Sequence, residues 1–245
     1  MAPLVVLMLA TGCTAAVGGD ALPAVGLKPR PLTGQTITQV LLDAAALSKL
    51  LHQSFKADPH LPPRFGGPET LQEEGSASPA DCLGVAFMLR RHVYQSANIQ
   101  DVAVETWSQA AMFEKVIGVK EGVVSLPTAG DADALFVKFS QQWQQCDGTT
   151  LLLPGSVLML TPGISNVRVA NSVLAASVSM TFTPPGSRPT SMPEGRAIGV
   201  RGNCLIEIKV DFFIPPNPSR QGSGDVNTPA VNIAHAMMDK VSELS

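Results

Sequence analysis

The chain has 245 residues, of which 17 are basic and 20 acidic, so its formal net charge is −3. No run of Lys or Arg could follow a phosphate backbone, which argues against nucleic acid as a partner. After residue 10 no apolar stretch approaches the ~18 residues of a membrane-spanning helix. Length and composition are therefore typical of one sizeable domain.

The N-terminus carries a short apolar run, Leu4 to Ala10, that ends in small residues and then Cys13. A small-residue site directly before a cysteine resembles the bacterial lipobox, in which the thiol is acylated and the preceding segment removed. We therefore predict a lipoprotein signal peptide over residues 1–12, with Cys13 as the lipidation site. An ordinary secretory signal and a buried first strand are the alternatives.

The segment after Cys13 is rich in Ala, Gly, Pro and Thr and shows no apolar periodicity. It is predicted to be a flexible tether over residues 13–36, followed by a folded domain over residues 37–245. Two acyl chains on one cysteine are enough for stable membrane attachment. The expected location is the extracytoplasmic side of the cell membrane, with the lipid anchor as the link to the membrane.

Four helices are predicted downstream. The first is "LLDAAALSKLLHQSF", with Asp43 as its N-cap. A loop over residues 57–79 follows. The second helix begins at Ser78-Pro79 and runs to about Tyr94. Thr128 to Asp131 opens a third helix, with Cys146 at the end of its apolar stripe. Thr228 caps the closing helix.

The remaining segments alternate with the period of strands. "IQDVAVETW" and "VIGVKEGVVSLP" are predicted to be antiparallel strands, the second with a turn at Lys120 to Gly122. From Ser156 onward the short strands "SVLMLT", "VRVA", "VLAASVSMTF", "RAIGV" and "CLIEIKVDFF" are joined by tight turns, including one at Asn171-Ser172. The expected fold class is α+β, with a single antiparallel sheet of about five to six strands and helices covering one face.

Three cysteines remain in the domain: Cys82, Cys146 and Cys204. An odd number in an exported chain indicates one bridge and one free thiol, and spacing alone leaves three pairings open. Cys204 alternates with apolar strand residues, which favours a buried, inert thiol over a reactive one. No Cys or His pair has the spacing of a zinc site, so no metal is expected.

Catalytic signatures are missing from the sequence. None of the four histidines has a partner at ligand spacing, and no GxSxG motif occurs. "QGSGD", at residues 221–225, lacks the lysine and the strand-to-helix context of a phosphate loop. We therefore expect a protein that is not an enzyme and needs no cofactor.

Two groups of residues are candidates for ligand binding. Arg90 and Arg91, close to Tyr94, could receive an anionic ligand, although cations that offset a helix dipole are the simpler interpretation. Trp143 is flanked by four glutamines; core packing is the favoured interpretation, and a stacking platform for a ligand is the alternative.

Three segments together resemble a known family: "CLGVAFMLRRHVYQS", "FVKFSQQWQQCDGTT" and "RAIGVRGNCLIEIKVDF". In this order they resemble the PknH-like extracellular sensor domain, the ectodomain family of certain mycobacterial serine/threonine protein kinases. The resemblance covers about residues 40–244 and implies a disulfide between Cys82 and Cys146. It also implies that the family's second bridge is lost, which leaves Cys204 as the free thiol.

The function implied by this resemblance is that of a cleft-bearing domain that binds a small polar or envelope-derived ligand. No binding residue can be carried over from the family. The alternative is a protein-interaction module that docks on a kinase ectodomain or an envelope assembly. The expected partner, besides the membrane, is thus an unknown small ligand or an envelope protein.

Overall fold

A computed structural model describes residues 29–73, 75–112, 114–154, 160–183, 186, 188–213 and 225–245. The predicted signal peptide, Cys13, most of the predicted tether and most of the predicted strand "SVLMLT" lie outside the described residues. The predictions that depend on those segments therefore stay predictions.

One antiparallel sheet of eight strands organises the described part of the chain. The strands are β1 (Phe55–Ala57), β2 (Arg64–Gly66), β3 (Asp101–Gln109), β4 (Val116–Ser125), β5 (Thr161–Ala170), β6 (Val173–Phe182), β7 (Thr190–Arg201) and β8 (Cys204–Phe212). Their order is β1-β3-β4-β8-β7-β6-β5, and β2 also pairs with β3. The predicted α+β class and antiparallel sheet are confirmed. The strand count is higher than predicted, partly because β1 and β2 are too short to show an alternating pattern.

The predicted turn at Lys120 to Gly122 is wrong, because β4 runs straight through these residues. Gly122 serves a different purpose there. A Cβ added to Gly122 would lie 2.8 Å from Leu89 Cδ1, so glycine allows the chain after the second helix to approach the strand closely. By contrast, the predicted Asn171-Ser172 turn is present, and both residues have positive φ angles of 51° and 61°.

Four α-helices accompany the sheet: α1 (Ala44–Leu51), α2 (Leu83–Ala86), α3 (Ala129–Gln145) and α4 (Asn227–Leu244). Short 3₁₀-helices occur at Gly34–Val40, Pro68–Thr70, Ala80–Cys82 and Arg91–Tyr94. Asp43 caps α1 as predicted, by accepting a hydrogen bond from the Ala46 N–H. Thr128 and Asp131 form a complete capping box at α3. α4 begins at Asn227, one residue before the predicted cap.

The predicted long second helix is wrong. α2 spans only Leu83–Ala86, and the chain becomes extended at Phe87. Backbone hydrogen bonds then tie this stretch to the segment after β2: the Gln72 N–H donates to the Leu89 carbonyl, and the Arg91 N–H to the Gln72 carbonyl. Tertiary contacts therefore override the local helical pattern.

Helices cover both faces of the sheet, whereas the sequence pattern predicted one covered face. We call the face that packs against α3 and residues 83–94 the first face, and its core includes Val124, Phe139 and Leu205. The second face packs against α1, α4 and the Gly34–Val40 turn, with Met237 and Ile206 in its core. Burial on both sides explains why β8 is nearly continuously apolar at its start.

The Cys82–Cys146 disulfide implied by the family resemblance is present and joins the turn before α2 to the end of α3, with the two Cα atoms 5.6 Å apart. Cys204 is a buried free thiol, in agreement with the prediction. Burial raises the pKa of Cys204 to about 12, so its thiolate is scarce at neutral pH. A thiol in this environment is chemically inert.

Candidate ligand-binding site

One end of the first face is covered by the loop after β1 and by the turn after α2. Between these segments and the sheet lies a cleft of about 350 Å³. We call it the charged cleft and define it by Asp58, Thr106, Lys120, Glu194, Lys209 and Asp211. A second cavity of about 260 Å³ adjoins it and shares Leu61, Gln72, Thr106 and Lys120.

The strand register arranges the charged residues of this face in rows. One row across four strands consists of Thr106, Lys120, Lys209 and Arg196. The row on the α3 side of this basic row contains Glu207. The row on the opposite side, at the open end of the cleft, contains Asp211 and Glu194, which are direct cross-strand partners. A basic row therefore lies between two rows that carry carboxylates.

The inner end of this arrangement is a buried ion pair between Arg196 and Glu207, whose side chains are 0% and 3% exposed. Arg196 Nη2 lies 3.0 Å from Glu207 Oε2. The same guanidinium donates to the backbone carbonyls of Val85, Ile208 and Gly84, at 2.9, 3.0 and 3.3 Å. Arg196 thus fastens α2 to the sheet, and the hydrogen bonds compensate its burial.

Glu207 has further partners from the segment after α2. Its carboxylate accepts hydrogen bonds from the Leu89 N–H, at 3.2 Å, and from the Tyr94 hydroxyl. Burial, and then the nearby Glu207 charge, raise the pKa of Tyr94 well above its usual value. The hydroxyl therefore stays a donor, and the Arg196–Glu207 pair is satisfied within the protein.

The outer acidic pair, Glu194 and Asp211, differs from the Arg196–Glu207 pair because its negative charges are only partly compensated by a neighbouring cation. Lys209 Nζ lies 2.8 Å from Asp211 Oδ1 and 3.7 Å from Glu194 Oε1. The second carboxyl oxygen of Glu194 is buried and has no hydrogen-bond partner. Burial raises the pKa of Glu194 to about 7, with Lys209 opposing and Asp211 adding to this shift. Glu194 is therefore partly protonated at neutral pH.

Lys120 is the unpaired cation of the charged cleft. Its side chain is half-buried, and it makes no ion pair or hydrogen bond with any residue that the structure describes. Burial, and then the positive charges of Arg64 and Lys209, lower the pKa of Lys120 to about 8. At neutral pH most of this ammonium is charged and lacks a partner.

The four residues predicted to bind a ligand do not form one accessible surface. Arg90 donates to the Glu73 carbonyl and lies 5.0 Å from the Phe87 ring centre, and Arg91 pairs with the Glu73 carboxylate at 2.9 Å. Tyr94 and Trp143 are each 1% exposed. They are core residues beside the buried ion pair, with the Arg196 guanidinium 5.6 Å from the Trp143 ring, so direct contact with a ligand would require the core to open.

The sequence analysis missed Lys120, Glu194, Lys209 and Asp211. Lys120 lies in the segment that was predicted to be a turn, and Glu194 comes shortly before the predicted strand "RAIGV". A usable signal does exist in "IEIKVDF", where charges alternate with apolar residues. Such a period indicates that Glu207, Lys209 and Asp211 share one face of a strand. That face carries more charge than an ordinary core surface does.

These features define an α+β domain with an internal disulfide and a charged cleft at one end of its sheet. A family model described as the PknH-like extracellular domain matches residues 32–240. The chain belongs to this family, in agreement with the family resemblance of its sequence motifs. Because the family is one of extracellular domains, it agrees with an extracytoplasmic location.

A solved structure shows a similar fold. The crystal structure of the extracellular domain of PknH from Mycobacterium tuberculosis matches with a TM-score of 0.69 at 17% identity, covering 88% of this chain and 100% of that one. A putative uncharacterized protein from Mycobacterium smegmatis matches with a TM-score of 0.42 at 13% identity, covering 84% of this chain and 96% of that one. A comparison with curated proteins finds no match.

Among the described residues, no helix is long and apolar enough to cross a membrane.

Proposed function

We propose that this chain is a binding domain without catalytic activity on the outer side of the cell membrane, and that the charged cleft binds a small polar ligand. The observation that carries this proposal is Lys120, a half-buried cation that lies in a cleft of about 350 Å³ and has no partner among the described residues. A partly buried charge without a partner weakens the fold. It is therefore a candidate for a role in binding.

The floor of the charged cleft supports this role because it is rigid. The Arg196–Glu207 pair and its hydrogen bonds fix α2 and the following turn against β7 and β8. Ala86, Phe87 and Met88 of this turn line the cleft beside Lys209. A ligand would meet walls that are already in place, which lowers the entropic cost of binding.

The proposal includes a lipid anchor at Cys13, and its support is the lipobox-like sequence alone. The test is the intact mass of the protein recovered from its own membranes. A mass that includes a diacyl group on Cys13, together with release of a Cys13→Ser variant into the soluble fraction, would support the anchor. An unmodified Cys13 would contradict it.

Docking on an envelope protein is the alternative that the sequence left open. Among the described residues, the large exposed apolar side chains are Leu61, Phe65, Met112, Val137, Leu152, Val169 and Met192. These side chains are scattered over β2, α3, β5 and β7 and over the connections that follow β1, β3 and α3, so they do not form one patch. No specific observation therefore favours docking, and it serves as an outcome of the following test.

The test is native mass spectrometry of the protein purified gently from its own envelope extract. Thr106 lines both cavities, so Thr106→Trp should fill the cleft, whereas Thr190→Trp places the same ring at an exposed position on β7. We expect a small-molecule adduct on the wild type and on the control but not on Thr106→Trp. An adduct that survives in Thr106→Trp, or a protein-sized partner in place of a small molecule, would contradict the proposal.

A further inference from the structure

We infer that the charged cleft takes an anionic ligand that carries an apolar group, and that Lys120 holds the anionic group. The inference rests on the proposed binding function and names the chemistry of the ligand. A carboxylate and a phosphate share this chemistry, and the experiment below distinguishes them.

The charges that face Lys120 come from three strands. β2 contributes Arg64, β7 contributes Arg196, and β8 contributes Lys209 and Glu207. The single carboxylate in this set, Glu207, is already bound by Arg196, by Tyr94 and by the Leu89 N–H. Within this set of groups positive charge exceeds negative charge, and an incoming anion would offset that local excess.

Two other carboxylates of the cleft already have partners. Asp211 lies 2.8 Å from Lys209, the direct cross-strand neighbour of Lys120. Asp58, on the loop after β1, accepts a hydrogen bond from Ser108 Oγ at 2.7 Å and another from the His60 N–H at 2.9 Å. The remaining carboxylate of the cleft, Glu194, lies on β7, and β8 separates that strand from the strand of Lys120.

The apolar side chains that line the cleft indicate that the ligand carries an apolar group next to its anionic group. Phe87, Met88 and Met180 line it together with Ile117 and Leu61. Met88 and Met180 are already buried, but a purely inorganic anion would leave the exposed parts of Leu61, Phe87 and Ile117 in contact with water. An apolar group next to the anion would cover them, at a gain of about 25 cal/mol for each Å² removed from water.

Glu194 is the group that opposes an anion most directly. It faces Lys209 and Asp211 on β8 and lies two residues from Arg196 on β7, while the turn Ala86 to Met88 contributes no charge. Protonation of Glu194 would remove one negative charge from the cleft. Glu194 therefore makes anion binding stronger as the pH falls.

The experiment uses the isotope-labelled full chain with Cys13→Ser, so that no lipid is attached, in amide NMR titrations. The probes are benzoate, phenyl phosphate, benzyl alcohol and benzylamine, which share a phenyl ring and differ in charge. We expect the two anions to shift the amides of Thr106, Lys120 and Lys209 at the lowest concentrations. Lys120→Met should weaken benzoate binding by at least roughly tenfold. Lys49→Met, at an exposed position on α1, should not change it.

The possible outcomes separate the inference from the proposed function. Equal or tighter binding of benzyl alcohol or benzylamine at these amides, or unchanged benzoate binding by Lys120→Met, would overturn the inference and leave the binding function standing. A preference for benzoate over phenyl phosphate, or the reverse, would identify the anionic group. If no probe shifts these amides the inference fails, and the native mass spectrometry of the envelope-derived protein decides the function separately.

Discussion

Lys120 and Lys209 lie directly opposite each other on β4 and β8, yet only Lys209 has carboxylate partners. Two like charges at directly opposed strand positions destabilise a sheet unless other groups compensate them. Asp211 and Glu194 compensate Lys209, whereas no described residue forms an ion pair with Lys120, whose charge is offset only in part by the nearby Glu207. This asymmetry supports the binding site that we propose at the open end of the first face.

The first prediction concerns the pH dependence of anion binding. Since the pKa of Glu194 is about 7 and that of Lys120 about 8, benzoate binding should weaken as the pH rises from 6 to 9. Glu194 gains a negative charge over this range and Lys120 loses its positive one. Glu194→Gln should bind benzoate at pH 7.5 as tightly as the wild type does at pH 6, as measured by NMR titration.

Glu73→Gln is the matched control for this substitution, because Glu73 lies on the surface beside Arg91 and outside the charged cleft. It should reproduce the pH profile of the wild type. Two results would rule out the assigned role of Glu194. One is a benzoate affinity that does not depend on pH in the wild type, and the other is an affinity that depends on pH near pH 7 as steeply in Glu194→Gln as in the wild type.

The second prediction concerns the stability of the cleft floor. Glu207→Gln removes the charge that compensates the buried guanidinium of Arg196. Breaking a buried ion pair from one side costs about 3–5 kcal/mol, which chemical denaturation would detect as a lower midpoint. In Glu73→Gln, which breaks an exposed pair, the loss should stay within about 1 kcal/mol. Equal effects of the two substitutions would argue against the structural role of the Arg196–Glu207 pair.

The third prediction concerns the disulfide. Cys82 and Cys146 are 64 residues apart, and a bridge that closes a loop of this size contributes about 4 kcal/mol in the chain-entropy model. The double variant Cys82→Ala/Cys146→Ala should lose stability of this order in denaturant titrations. Reductant should lower the stability of the wild type and leave that of the variant unchanged. A wild type that is insensitive to reductant even when unfolded would contradict the assigned bridge.

Glu121 provides the fourth prediction, on the second face of the sheet. Its carboxylate is buried and accepts a hydrogen bond from the Leu42 N–H at 2.9 Å, and burial raises its pKa to about 8. Between the ordinary glutamate pKa and pH 8, Glu121 is therefore protonated in the folded protein and ionised in the unfolded chain. This contribution to stability is complete at low pH and declines as the pH rises towards 8.

Glu121→Gln should remove that part of the pH dependence. Between pH 5 and pH 8 the slope of the unfolding free energy should become less negative by up to about 1.4 kcal/mol per pH unit. The glutamine can still accept from Leu42, although its amide group adds an unpaired donor, so the test is the slope and not the absolute stability. Glu243→Gln, exposed on α4, should keep the slope of the wild type. Parallel slopes in all three proteins would refute the prediction.

Part of the fold could be predicted because the responsible interactions are local. The capping box of α3 lies within four consecutive residues, and the N-cap of α1 is separated from its donor by three. The Asn171-Ser172 turn likewise depends on residues that tolerate positive φ. Patterns of this kind can be recognised directly in a sequence.

The break after α2 could not be predicted in the same way. It depends on the Leu89 N–H that donates to Glu207, and on Gly122, which makes room for Leu89. Both partners are distant in the chain, so the local pattern still indicates a helix. The same applies to the candidate site, in which β2, β4, β7 and β8 bring Arg64, Lys120, Glu194 and Lys209 together.

The most direct test of the binding site is amide chemical-shift mapping with the natural ligand pool. The low-molecular-mass fraction of the envelope extract would be added to the labelled full chain carrying Cys13→Ser, with Lys120→Met measured in parallel. A charged-cleft site predicts shifts centred on Thr106, Lys120 and Lys209 that are lost in Lys120→Met. Shifts confined to α1 and α4 on the second face, or identical in both proteins, would contradict a binding site at the charged cleft.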